Sequence, residues 1–335
     1  MNEKFTIFAK KNEKMIIVTG AAGFIGSCMV QKLNSMGLSH IILVDDFTQE
    51  KKKRNWIDKQ YTDKIDRNDF FKWGANEQQK IKAIIHLGAR TDTTERDMGL
   101  LNHLNLEYSQ QMWSFATQYG IPLLYASSAA TYGNGELGYG DDVEQITKLQ
   151  PLNPYGFSKQ KFDEWVLKQH QTPPLWAGFK FFNVFGPNEY HKGRMASVVF
   201  HAFHQIQEKG EVHLFKSHKP EFQHGEQIRD FIYVKDVTHL LYWFLKNKPQ
   251  SGIYNLGTGF GRTFNALVES IFAALQLETQ INYIDIPEDI RSQYQYYTQA
   301  EMKKIRKVGY KKQFRPLERS VKEYVTQYLV KDKIL

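Results

Sequence analysis

Short, almost wholly apolar runs alternate along this chain with longer segments whose apolar residues recur every three or four positions. Met15-Ile-Ile-Val-Thr19 is β-branched and stops at a glycine, as a strand buried on both faces does. Ile25 to Met36 follows at helical spacing, and Gly37 supplies its stop. A second strand, Ile41 to Val44, ends on Asp45-Asp46, and further apolar runs lie at Ala83 to Leu87, Leu123 to Ser127 and Gly178 to Phe182, each beside a helix-like segment. Strands and helices in alternation predict a parallel sheet with helical crossovers, so the expected fold class is doubly wound α/β.

Beyond Asn183 the loops lengthen, and charged and aromatic residues crowd His213 to Arg229. The expected division is an N-terminal extension over residues 1–14, a dinucleotide-binding domain over 15–182, and a smaller α/β substrate-binding domain over 183–335. Two late strand-like runs, Phe231-Ile-Tyr-Val234 and Gly252-Ile-Tyr-Asn-Leu-Gly257, with a helix at Thr263 to Leu275, are expected to return toward the first domain. Residues 1–14 lack the apolar centre of a secretory signal, and no run reaches the roughly 18 apolar residues of a membrane-spanning helix. A soluble cytoplasmic protein is expected. The single cysteine, Cys28, can form neither an internal disulfide nor a zinc cluster and reads as a small buried hydrophobe. The net charge of +8 is concentrated in Lys51 to Arg54 and from Lys303 to Lys333. Without a nucleic-acid motif this is a solvated basic surface that also suits a diphosphate-bearing substrate.

Gly20-x-x-Gly23-x-x-Gly26 sits between a strand and a helix, where glycines let the backbone approach a pyrophosphate at the positive end of the helix. Asp45, at the end of the second strand, suits ribose hydroxyls and so NAD, whereas Lys51-Lys-Lys-Arg54 in the same loop suits the 2′-phosphate of NADP. Tyr155 and Lys159 stand four apart, on one helical face. A phenol with an ordinary pKa near 10 needs help to act as a base, and a neighbouring ammonium together with a cationic nicotinamide would favour its phenolate. Ser128 can hydrogen-bond the oxygen being oxidised, and Lys192 is a second acid/base candidate. Ala129-Ala130 follow Ser128, so no carboxylate pair is at hand there for dehydration.

The glycine spacing, the Leu87-Gly88-Ala89 turn and Tyr155-x-x-x-Lys159 resemble the extended short-chain dehydrogenase/reductase superfamily, with its Rossmann-type fold. From Met15 to about Tyr328 the chain resembles more narrowly the ADP-L-glycero-D-manno-heptose 6-epimerase family. The residues that carry this are Met15-Ile-Ile-Val-Thr-Gly, Tyr125-Ala-Ser-Ser-Ala-Ala-Thr-Tyr-Gly133, Phe182-Asn-Val-Phe-Gly, His191-Lys-Gly and Arg229-Asp-Phe-Ile-Tyr-Val. The resemblance implies C6 epimerisation of an ADP-heptose for lipopolysaccharide inner-core synthesis, through a transient keto sugar. It assigns Tyr155 and Lys192 as acid/base residues and Ser128 and Lys159 as assistants. Cofactor contacts would fall on Gly20, Gly23, Phe24, Ile25, Gly26, Asp45, Asp46, Lys52, Leu87, Gly88, Ala89, Asn105, Tyr155, Lys159 and Val184. Substrate contacts would fall on Ser128, Asn183, Arg194, His201, Phe215, Lys216, Ser217, His218, Arg229 and Tyr294. NADP is the implied cofactor, NAD the alternative. A homo-oligomer, a pentamer, is implied, and no metal.

The chain departs from that family at Asp46, where relatives carry asparagine, at Arg194 in place of serine, at Lys216-Ser-His218, and in the longer Lys219 to Gln227 segment. Another nucleotide-sugar 4-epimerase or reductase is the alternative enzyme, and a cofactor-binding, RNA-associated protein the alternative outside enzymes.

Overall fold

The computed structural model of the chain describes residues 14–291 and 294–335, so the expected extension lies outside them but for Lys14. Six strands come first: β1 (Met15–Thr19), β2 (Ile41–Asp45), β3 (Asp63–Asp66), β4 (Ile81–His86), β5 (Leu123–Ser128) and β6 (Trp176–Phe181). After them come β7 (Asn183–Phe185), β8 (Val212–Phe215), β9 (Ile228–Arg229), β10 (Phe231–Tyr233), β11 (Gly252–Leu256), β12 (Arg262–Thr263) and β13 (Ile281–Ile284). Seven of them form one sheet in the order β11-β6-β5-β4-β1-β2-β3, and every pairing in it is parallel. All residues of β1 and β2 are buried, which is why they are apolar without alternation. β3 is different. It lies at the sheet edge with Asp63 and Lys64 exposed, and its polar sequence carries no strand signal.

The chain runs from β1 outward through β2 to β3, then crosses back to place β4 on the other side of β1. Ligands of such sheets lie beyond the carboxyl ends of the strands where this reversal occurs. In register, Thr19 stands opposite Val44 on one side and His86 on the other, so three loops open together at that point.

The remaining strands pair two by two, β7 with β10, β9 with β12 and β8 with β13. β7, β10 and β8 contribute to an apolar cluster with the helices Val198–Lys209, Phe264–Leu275 and Leu317–Tyr324, and Phe24 and Cys28 of the first helix belong to the same cluster. That first helix, Phe24–Ser35, also shares a core cluster with the Val234–Asn247 helix. Cys28 is fully buried with its Sγ 3.3 Å from the Pro187 carbonyl, and burial pushes the thiol up to about 12, so it packs as a hydrophobe. Among the described residues no helix is long and apolar enough to cross a membrane.

Candidate active site

The glycine turn is fixed by sterics. Gly20 adopts φ +67°, and a Cβ there would lie 2.7 Å from the Gly88 nitrogen. A Cβ on Gly26 would lie 2.0 Å from the Gly20 carbonyl oxygen. Gly23 is the N-cap of the Phe24–Ser35 helix and offers no side chain to its first amides, so the cradle stays open to an anion. These features fit a dinucleotide pyrophosphate.

The turn Leu87-Gly88-Ala89 is held against β1 by a chain of buried bonds. The Leu87 amide donates to the Thr19 carbonyl at 3.2 Å and the Gly88 amide to Thr19 Oγ1 at 3.1 Å. Thr19 Oγ1 lies 2.7 Å from His86 Nδ1, and His86 Nε2 lies 3.1 Å from Ser109 Oγ. Because Ser109 spends its hydroxyl hydrogen on the Asn105 carbonyl at 2.6 Å, it accepts from Nε2 and leaves Nδ1 to accept from Thr19. Burial pulls His86 down to about 3, so this bridge stays neutral.

Asn105 was expected to contact the cofactor; the structure places it fully buried. Its amide bonds the Arg90 main chain on both sides, at 2.8 and 3.0 Å, and donates to Ser158 Oγ at 2.9 Å. It therefore ties the turn after β4 to the helix that carries Tyr155 and has no surface left for a ligand.

At the end of β2, Asp45 accepts from the Ala22 amide at 2.9 Å and lies 3.2 Å from Lys52 Nζ. Asp46 is engaged within its own turn by Thr48 and Gln49. The Thr48 bond is the leading reason its carboxyl is held down to about 2, so it is charged at any working pH.

Tyr155 opens the Pro154–Leu167 helix, whose N-cap Asn153 accepts from the Gly156 amide at 2.8 Å. Burial raises the Tyr155 phenol above its ordinary value, and a hydrogen bond with Ser128 pulls it partly back. Lys159, one turn along the same helix, donates from Nζ to the Ala126 carbonyl at 2.9 Å, and its own pKa falls to about 8 through burial, partly offset by Asp163 one turn on. Behind Ser128, at the end of β5, lies a wholly buried ion pair of Lys180 and Asp163 at 2.7 Å. Asp163 also accepts from Ser127 Oγ at 2.6 Å, Lys180 donates to Thr131 Oγ1 at 2.7 Å, and Thr131 donates to the Ser128 carbonyl at 2.8 Å.

Lys192 lies in the loop between β7 and the Val198–Lys209 helix, with its ammonium 5.4 Å from the centre of the Phe24 ring. That puts it over the start of the Phe24–Ser35 helix. Burial lowers its pKa and Glu189 opposes the fall. Phe24 is buried, and Ile25 and Val184 are half-buried beside the same cluster.

Three of the expected substrate residues come together. Arg229 keeps 7% of its surface exposed, with its guanidinium 5.4 Å from both the Phe264 and Tyr294 rings, and Phe215 meets Tyr294 edge-on at 6.0 Å. Arg229 gives one N–H to the Ile228 carbonyl at 2.9 Å and another to Gln295, so the group is clamped in place. Lys216 lies 3.6 Å from Asp285, the Ser217 amide donates to His224 at 3.1 Å and the His218 amide to Tyr296 at 3.0 Å. The Lys219 to Gln227 segment lies on the same aromatic group through Phe222, 5.4 Å from Tyr296. Asn183 sits exposed at the start of β7, 3.4 Å from Thr298 Oγ1. Arg194 is exposed and its charge helps to lower Asp92, while His201 is half-buried on the Val198–Lys209 helix beside Phe200, so neither joins the Arg229 cluster.

Sequence reasoning missed His86, Asn55, Asp163, Lys180, Glu189 and Asp230. The fully buried Asp230 accepts from the amides of Thr258, Gly259 and Ala300, joining the loops around β7. A buried charge on a short apolar strand, as in Gly178-Phe-Lys180-Phe, was the one available signal.

Residues 16–257 match the NAD dependent epimerase/dehydratase family. The ADP-L-glycero-D-manno-heptose-6-epimerase of Fusobacterium nucleatum is 48% identical over 328 residues, covering 95% of this chain and 99% of that protein. The enzyme of the same name from Nitratidesulfovibrio vulgaris is 45% identical, covering 94% and 98%. Among solved structures, the Helicobacter pylori ADP-L-glycero-D-manno-heptose-6-epimerase superposes with a TM-score of 0.80 at 28% identity, covering 94% of this chain and 96% of that one. A UDP-glucose 4-epimerase from Thermotoga maritima, at 22% identity, shares the fold with a TM-score of 0.76 over 95% and 99% of the two chains. With that family match and those relatives along nearly its whole length, the chain belongs to the NAD dependent epimerase/dehydratase family and, within it, to the group of the ADP-L-glycero-D-manno-heptose-6-epimerases.

Proposed function

We propose that the chain interconverts ADP-D-glycero-D-manno-heptose and ADP-L-glycero-D-manno-heptose at C6 by oxidation to a keto sugar and reduction from the opposite face. The observation that carries this is the relationship to two epimerases of that name at 45–48% identity over almost the whole chain, together with a Tyr155, Lys159 and Ser128 set followed by two alanines. Membership of the family makes the cofactor a nicotinamide dinucleotide.

The open glycine cradle and the turn at Gly88 would hold the pyrophosphate. When bound, the nicotinamide supplies a reversible hydride acceptor and leaves the cycle unchanged. NADP is the form we infer, because Lys52 offers positive charge beside Asp45 while the Asp46 carboxylate is occupied by Thr48 and Gln49.

Tyr155, with Ser128 sharing the oxygen's charge, would take the C6 hydroxyl proton on one face. Lys159 would orient the nicotinamide ribose. Lys192 would hold or return a proton on the other face once the keto sugar has turned. Asn183, Arg194, His201, Phe215, Lys216, Ser217, His218, Arg229 and Tyr294 would hold the ADP-sugar. Of these the clamped guanidinium of Arg229 is the strongest candidate for a phosphate. Mass spectrometry of the retained cofactor separates NADP from NAD. Conversion of a UDP- or GDP-sugar while the ADP-heptose stays untouched would replace this substrate with another.

A further inference from the structure

Asn55 ends the short 3-10 turn Glu50–Asn55 that carries Lys52, and it is 97% buried by its 3% exposure. Its two Nδ2 hydrogens go to the Ala22 carbonyl at 3.0 Å and the Asn188 carbonyl at 3.1 Å, and His191 Nδ1 packs 3.2 Å from the same nitrogen. The first belongs to the glycine turn and the other two to the loop that carries Lys192. Ala22 is thereby gripped from both sides, its carbonyl by Asn55 and its amide by Asp45. His191 stays neutral at that contact: burial and the charges of Lys52, Lys192 and Lys51 pull it down to about 4.

The loop so tethered is stiff. Asn188 is fully buried at φ +77°, a conformation that is strained for a non-glycine residue and persists where the surroundings enforce it. Its side chain donates to Ser27 Oγ at 2.9 Å and accepts from the Leu335 amide at 2.8 Å. Glu189 accepts from the Gly186 amide at 3.2 Å and from Ser197 Oγ at 2.7 Å, closing the loop on itself. The Asn188 and Glu189 bonds hold the base of the loop, and Asn55 is the tie that reaches His191, the residue before Lys192, so its loss shifts the loop where the amine is carried.

We propose that Asn55 is a positioning residue that sets the Lys192 loop against the phosphate-binding turn, so that the amine is aimed at the reacting carbon only in register with the cofactor. This rests on Lys192 being the acid/base group of the second face.

The test compares Asn55→Ala and the isosteric Asn55→Asp with Lys192→Met, each scored per cofactor-loaded chain. One readout is the single-turnover reduction of the nicotinamide by ADP-D-glycero-D-manno-heptose, and the other is steady-state C6 interconversion. The expected result is a loss of about 10–100-fold in kcat for interconversion, as for a catalytic group misplaced by about 1 Å. Nicotinamide reduction and KM should each stay within about threefold. Combining Asn55→Ala with Lys192→Met should add nothing beyond Lys192→Met alone, because both act through one amine. Equal losses in both readouts, or full activity in the loaded fraction alongside a lowered melting temperature, would make Asn55 merely structural and overturn the proposal. Absence of any interconversion by the wild-type protein would instead defeat the proposed function.

Discussion

Lys180 and Asp163 form a pair with both side chains at 0% exposure, 2.7 Å apart, beneath the strand that ends in Ser128. Removing one partner of such a pair costs about 3–5 kcal/mol, because the other charge stays buried without compensation. The surroundings rank the two halves. Lys180→Met leaves Asp163 with hydrogen bonds from Ser127 Oγ at 2.6 Å and Tyr125 Oη at 3.2 Å, so the loss should fall near the low end. Asp163→Asn leaves the ammonium with Thr131 at 2.7 Å and the Tyr132 ring, 5.3 Å from its centre, so the loss should be larger. At about 2–4 °C per kcal/mol for a large chain, these correspond to falls in melting temperature of roughly 6–20 °C. The double variant Asp163→Asn/Lys180→Met removes both charges and should recover more than half of the loss. Thermal and urea unfolding of the four proteins, analysed as a double-mutant cycle, measure the coupling directly. A shift under about 2 °C for either single variant, or a double variant no more stable than the worse single one, would refute the reasoning from burial.

Three other outcomes follow from the site. Gly26→Ala forces a Cβ to 2.0 Å from a main-chain oxygen, so the protein should lose retained cofactor and about 1–3 kcal/mol or more of stability, checked by native mass spectrometry and unfolding. Tyr155→Phe and Lys192→Met should each lower kcat by about 100-fold or more while cofactor stays bound, and normal turnover by Lys192→Met would exclude the two-face scheme. The pH dependence comes from Lys159: burial lowers it to about 8, so its positive charge is present below that pH and lost above it. If that charge supports the phenolate of Tyr155, kcat should fall as pH rises through about 8, and a pH–rate profile flat to about pH 10 would contradict this role.

The central strands and the glycine turn were legible in the sequence for one reason: burial on both faces and backbone contact leave few residue types possible. β3 was hidden because an edge strand with exposed Asp63 and Lys64 need not be apolar. Tyr155 and Lys159 could be paired from spacing alone, since a helix turn fixes their relation. What the ammonium does could not be read that way, because its direction toward the Ala126 carbonyl depends on β5. Asn55, His86 and Asp163 were invisible for the same cause. Each takes its meaning from partners far away in the chain, such as Asn188 for Asn55 and Lys180 for Asp163. Asn105, expected at the cofactor, is buried against the Arg90 main chain, a relation set by the turn after β4 and not by its own sequence neighbours.

The central claim is epimerisation without net redox change. Purified protein with its retained cofactor, incubated with ADP-D-glycero-D-manno-heptose and followed by NMR at C6, should produce the L-glycero epimer until a constant ratio is reached, with the cofactor back in its starting oxidation state. A folded, cofactor-loaded protein that leaves the substrate unchanged, or that accumulates reduced cofactor and keto sugar in step with substrate consumed, would contradict it.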